Sequence, residues 1–484
     1  MSNPAGRARA KQSPKRRRLW RFFLVLLALP LLPLLALVLY NRIDEAPNSD
    51  VRYFESLSQR QVADQDNAWL HLMGIGAAVE GDPVAYGRQR WQAYEQWLEQ
   101  SKSREAFLPA PEALPVQAPS LSTHGFDNYC DDRSDDCLVW ALTNGAALYT
   151  LADANRTRLQ RFEQLLALSE WQDLATPSLE EPFPAITEAA LRSGLIALEL
   201  ARGGVDDGEA LAYSLNRLAQ EVEFWHRVTA QPQELVTVLR AARRIEQLQR
   251  IAGSVLDRLD VLESPALNGH FDRIFAARAL PADFSLAIGR EYRLTELGFR
   301  QAIPGLISSV GQCLDGSAQE GCLKGLMISA TYNHSATMNL HAIHKRLILR
   351  LLQAPAAEID QVKAQIAPRF EATFVSFEDP SSILQQMSYN YSGRILAQIA
   401  VPAFDYHYRL YDQEALRRMW QVKLCVLRDG AGERVIKRCI EQSELRDPYT
   451  GSPFDWDAEN GALRFAVRAQ EYWPEQLHVV LLNH

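Results

Sequence analysis

The chain has 484 residues, 47% hydrophobic and 23% charged, a globular balance that excludes a disordered or collagen-like polymer. Net charge is −8, yet residues 1–21 hold eight cations and no anion. Taking those eight from the 51 basic residues leaves 43 against 59 acidic ones, so the main body lacks the cationic surface that nucleic acid requires.

Phe22 to Tyr40 is an uncharged run of 19 residues. As a helix it spans about 28 Å, close to a hydrocarbon core of roughly 30 Å. Pro30 and Pro33 are tolerable there, because neighbouring groups in a membrane re-satisfy freed backbone. A cleaved signal peptide has a shorter apolar region, about 7–15 residues, and a small-x-small site. Leu39-Tyr40-Asn41-Arg42 offers no such site. The run therefore predicts a single-pass signal-anchor, a transmembrane helix over 22–40 with the lipid bilayer as its partner. The eight preceding cations place the basic tail 1–21 in the cytoplasm and residues 41–484 outside. In a bacterium that means the inner membrane, with the body in the periplasm.

Past the anchor, a helix is predicted from about Val84 to Phe107, then a loop-like stretch with Pro109, Pro111, Pro115 and Pro119. The six cysteines form three sequence-local pairs, Cys130 with Cys137, Cys313 with Cys322 and Cys425 with Cys439. Three local disulfides are the simplest connectivity, and they match an oxidising compartment. The segment between the first two, rich in Asp131, Asp132, Asp135 and Asp136, lacks the alternating ligands of a calcium loop and reads as a solvated acidic turn.

From about Leu138 to Asp260 the pattern is helical. Leu211, Leu215, Leu218, Val222 and Trp225 recur at helical spacing and define one apolar face. Asp206-Asp207 is placed to cap that helix, and Pro232 suits the first turn of the next. The apolar positions of that next helix include Leu235, Leu239, Leu248, Ala252, Val255 and Leu259. Residues 261–379 are less regular, with helices predicted at 335–353 and 356–366, and 261–300 is a candidate subdivision of the 41–404 helical domain. Residues 405–484 read as a small α+β module. It has a helix at 412–427, turn chemistry at Asp447-Pro448-Tyr449-Thr450-Gly451-Ser452-Pro453-Phe454, a β-hairpin turning at Glu459-Asn460-Gly461, and a last strand near Val479–Leu482. The fold class is thus mainly α, ending in this module.

The helix, polar stretch, Asp447-Pro448-Tyr449-x-Gly451-x-Pro453-Phe454 and hairpin resemble the C-terminal part of pseudopilin-type periplasmic domains. They are also similar to uncharacterised exported bacterial proteins ending in an Asp-Pro-Phe-Thr-Gly-x-Pro-like motif. The resemblance covers about residues 405–470 and implies a shared local structure. The anchor lacks the pseudopilin processing signature, so it does not imply a filament subunit.

Three sets of residues bear on chemistry. His334, His341 and His344 share a predicted helix face, but a spacing of seven residues is too wide for one zinc ion and no H-E-x-x-H pattern exists. Asp455-Trp456-Asp457 matches the Asp-x-Asp form of sugar-nucleotide transferases, without an alternating strand–helix region before it. Tyr389, Tyr391, Tyr406, Tyr408 and Trp456, with His407, Arg409, Tyr411 and Asp412 nearby, are candidate binding-surface residues or core. Asn155, Asn333 and Asn390 carry the glycosylation sequon. No catalytic residue, cofactor or metal is assigned. The expected function is a scaffold or interaction protein of the envelope with a protein partner. The alternative is an envelope hydrolase or transferase whose site lies in the helical domain or at Asp455-Trp456-Asp457.

Overall fold

A computed structural model describes residues 32, 35–102, 136–178, 186–203, 208–259, 264–277, 283–314, 325, 327–373, 389–399, 406–430, 432–441, 444–470 and 476–481. The chain is mainly helical and carries a small three-stranded antiparallel sheet near its C-terminus. The expected span 22–40 lies outside the described residues except for residue 32 and residues 35–40, which are helical. Among the described residues no helix is long and apolar enough to cross a membrane.

Two compact units divide the chain. The first comprises Met1–Val51, Ala302–His341 and Glu371–Val401, the second Arg52–Gln301, Ala342–Phe370 and Pro402–His484. Residues 52–301 thus fall within one unit, and the C-terminal module shares it.

In the second unit the helices Thr187–Gly203, Gly208–Ala230 and Leu235–Leu256 pack in succession, and Pro265–Ile274 returns against Gly208–Ala230. The apolar face read from the sequence is the core: Leu211, Leu215, Leu218, Val222 and Trp225 are all buried. In the following helix Leu235, Leu248, Ala252 and Val255 are buried, while Leu239 is only half-buried. Pro232 precedes that helix rather than opening it, because Glu234 takes the N-cap position. A charged cluster crosses this core. Glu221, fully buried, accepts from Arg192 at 2.7 Å, Arg244 at 2.8 Å and the Trp225 indole at 3.2 Å. Two guanidinium partners supply the pairing and hydrogen bonds that burial of a carboxylate requires.

Three expectations need correction. The stretch read as irregular contains the helix Ser285–Leu314. Gly289, Gly298 and Pro304 punctuate its sequence, but burial of Ala287, Ile288 and Tyr292, the last stacked on Phe54, outweighs their propensity. The helix placed at 356–366 is instead a short 3-10 turn, Ala356–Glu358, followed by Ile359–Glu371. The last long helix runs Tyr406–Asp429, and a further helix, Glu433–Glu441, comes before any strand. Cys425 and Cys439 join these two helices in a disulfide with a Cα separation of 5.9 Å. Cys137 is also disulfide-bonded. Its expected partner Cys130 lies outside the described residues, as do the side chains of Cys313 and Cys322.

The long helix packs on Leu235–Leu256 and on the sheet. Gly253 permits the first contact, since a Cβ there would stand 2.4 Å from the Trp420 ring. Strand β1, Asp455–Asp457, pairs with β2, Ala462–Ala466, which pairs with β3, Gln476–Val480. Gly461, at φ 61°, closes the β1–β2 turn in the left-handed region that glycine tolerates.

Candidate functional site

The second unit's polar residues converge where the Asp-Pro-Tyr turn meets the long helix. Asp447 builds the turn: its side chain accepts from the backbone N–H of Tyr449 at 2.8 Å, and its carbonyl from that of Gly451 at 2.9 Å. Gly451 adopts φ 66°. The turn aims Tyr449 inward. Its hydroxyl donates to Asp412 Oδ1 at 2.9 Å, and Asp412 Oδ2 accepts from the backbone N–H of Ala469 at 2.9 Å and Arg468 at 3.2 Å. The Arg468 guanidinium lies 4.0 Å from the Tyr449 ring centroid and pairs with Asp360 at 2.7 Å. Tyr449 also stacks on Phe465 of β2. One buried carboxylate therefore ties the helix to the turn and to the stretch that follows β2.

The electrostatics follow from burial. Desolvation pushes the Asp412 carboxyl up, opposed by the Ala469, Tyr449 and Arg468 donors. The Tyr449 phenol is pushed well above its ordinary range by burial and by the Asp412 charge, so it stays a protonated donor. His407 is pushed down to about 4 by burial and by Lys363, and is neutral at physiological pH. With its oxygens held by three donor groups, Asp412 serves as a clamp.

The candidate binding residues separate by burial. In the second unit Tyr408 is 6% exposed and belongs to the core, whereas Tyr406 and Trp456 are half-buried. In the first unit Tyr391 is 7% exposed and Tyr389 half-buried. Asp457 is committed to its own hairpin: it accepts from the Glu459 and Asn460 backbones and from the Asn460 amide, and it pairs with Arg464. The Asn460 amide is the main cause of its lowered pKa. Asp455, exposed, sits opposite Arg464 in the sheet register.

His334 and His341 belong to the first unit and His344 to the second. His334 Nδ1 shares a hydrogen bond with the Tyr332 hydroxyl at 2.9 Å, His341 is fully buried, and His344 stacks on Phe370. Among the described residues, the one group of His, Cys, Asp or Glu with ligand atoms within 4.8 Å is Cys425, Asp429 and Cys439. Its two sulfurs are bonded to each other. Asp131, Asp132 and Asp135 lie outside the described residues, and Asp136 caps the helix Cys137–Thr143. Asn155, Asn333 and Asn390 are all buried, which removes them as glycan acceptors in the folded chain.

One cluster has no local signature in the sequence. Asp173 and Glu234, 2% and 5% exposed, hydrogen-bond to each other. Asp173 Oδ1 accepts from the Ala175 backbone at 3.0 Å and faces Arg290 at 3.4 Å, while Glu234 accepts from the Thr237 hydroxyl at 2.7 Å. Burial and the neighbouring Asp173 push Glu234 up to about 8. The two carboxyls share a proton at neutral pH. Elsewhere in the unit an open groove of about 380 Å³ is lined by Tyr149, Asp153, Arg156, Gln160 and Glu163. Its Arg156 pairs with Asp153 at 2.6 Å, and Glu163 is held by Arg192 and Arg217. Comparison with protein-family profiles, curated proteins and solved structures finds no match to this chain.

Proposed function

We propose that the chain is a membrane-tethered scaffold of the bacterial envelope, with residues 1–21 cytoplasmic, 22–40 spanning the inner membrane and 41–484 periplasmic. Its C-terminal hairpin is the docking element for a protein partner. The observation that carries this reading is the commitment of the hairpin acid Asp457 to Asn460 and Arg464, beside a half-buried Trp456. The acid holds the hairpin's shape, and the indole offers the contact surface that interface hot spots favour. The Cys425–Cys439 disulfide supports an oxidising compartment. The helix, turn and hairpin order keeps the likeness to exported pseudopilin-type domains as part of this proposal.

A photo-crosslinking residue at position 456 in living cells tests it. A discrete protein adduct, unchanged in an Asp455→Asn variant, is expected. Loss of the adduct in that variant, at normal protein level, supports an acid-dependent site instead.

The enzyme alternative draws on one specific feature, the Asp173–Glu234 pair, whose raised pKa is of the kind general acids use. Both carboxyls are sealed from solvent, so the scaffold reading is favoured.

A further inference from the structure

We propose that Tyr40 and Tyr389 of the first unit form a paired aromatic collar at the lipid headgroup level, so that residues distant in sequence from the anchor rest on the bilayer surface. This rests on the reading of 22–40 as a membrane span.

The helix over residues 35–40 exposes Leu35, Leu39 and Tyr40 at 55%, 60% and 50%, and Ile43 follows at 59%. A contiguous run of large exposed apolar side chains marks a surface that something apolar covers. The preceding sequence, eight cations followed by the uncharged run from Phe22, identifies the cover as lipid.

A flexible tether would leave the rest of the unit free of that surface, but residues 41–48 are clasped. The Asn41 side chain donates to the Leu37 carbonyl at 2.8 Å, closing the helix end, and accepts from the Asn390 backbone at 2.6 Å. Asn333 Nδ2 donates to the carbonyls of Asn41 at 3.0 Å and Ile43 at 2.9 Å. Asn339 Nδ2 donates to the Ala46 carbonyl at 3.0 Å, and its own Oδ1 and carbonyl accept from the backbone and side chain of Asn48, each at 2.9 Å. Asn390 holds φ 50°, a left-handed conformation uncommon for a residue with a Cβ. Bonds from the Asn333 backbone and the Thr337 hydroxyl to its Oδ1 fix it there. Strain persists where surrounding contacts over-determine it.

The clasp brings Tyr389 to the anchor's exit. Its ring centroid lies 5.0 Å from that of Tyr40, and its hydroxyl donates to the Ile43 carbonyl at 3.1 Å. An apolar ring beside an apolar helix, with the hydroxyl on a polar backbone, is the amphipathic arrangement that enriches tyrosine at membrane interfaces. Tyr40 ends the uncharged run, so Tyr389 shares its depth.

The test uses the full chain in vesicles of phosphatidylethanolamine and phosphatidylglycerol. A nitroxide is attached to Tyr389→Cys or, separately, Ile43→Cys. Cys137, Cys425 and Cys439 are disulfide-bonded and do not compete for the label. Both labels are expected to give a severalfold higher ratio of oxygen to nickel-chelate collisions than a nitroxide in water. A water-like ratio at 389 in protein that resists alkaline carbonate extraction overturns the collar and leaves the span intact. Extraction of the protein by carbonate overturns the span, and the collar with it.

Discussion

The Glu234→Gln substitution is expected to stabilise the helical body above neutral pH and to remove part of its pH dependence. Glu234 rises from an ordinary 4.5 to about 8 in the folded chain, chiefly through burial and then through the Asp173 carboxylate. Between those values the folded state holds a proton that the unfolded state has released. Stability from this group is therefore fully present below about 4.5, declines as pH rises, and is lost above about 8. At about 1.4 kcal/mol per pKa unit, the whole effect is on the order of 5 kcal/mol as an upper bound. Relaxation around Arg290 and sharing of the proton with Asp173 reduce it. The glutamine amide keeps a donor toward Asp173 and cannot ionise, so a gain of about 1–3 kcal/mol at pH 8 is expected, with near parity at pH 5. Urea unfolding followed by tryptophan fluorescence across pH 5–9 measures both. Parallel curves for the two proteins, or a less stable variant at pH 8, would refute a shared buried proton.

Tyr449→Phe removes the hydroxyl that donates to buried Asp412. A loss of about 1.5–3 kcal/mol in unfolding free energy is expected, with the helix content of the native state unchanged by circular dichroism. Replacing Cys425 and Cys439 together by alanine opens a loop with a sequence separation of 14, and should lower stability by about 3 kcal/mol on the chain-entropy estimate, read from the urea midpoint. Trp456→Ala, at a half-buried site, should cost well under the 3–5 kcal/mol of a fully buried indole while abolishing the crosslinkable partner contact; a pull-down with matched protein levels separates the two effects.

Periodicity made the 208–230 helix legible, because Leu211, Leu215, Leu218, Val222 and Trp225 all face one core. The Asn-Gly turn was legible for a local reason as well: Gly461 supplies a backbone conformation few residues reach. Helix Glu433–Glu441 was not, since nine residues are too few to signal or sustain a helix alone. Burial of Ile436 and Ile440 and the bond through Cys439 hold it. The Asp-x-Asp tripeptide was visible, but its use was set by Asn460 three residues on, which turns Asp457 into a turn-former. Asp173 and Glu234 meet only through tertiary packing, as do Asn41, Asn333 and Asn390. No local spacing records such encounters.

Protease accessibility in spheroplasts tests the central claim, a periplasmic scaffold held by an N-terminal span, most directly. With an epitope at the N-terminus, added protease should degrade the body and leave a short protected fragment carrying the tail and the residues to about Tyr40. Full protection of the body in intact spheroplasts, or a soluble protein beginning near residue 41, would contradict it.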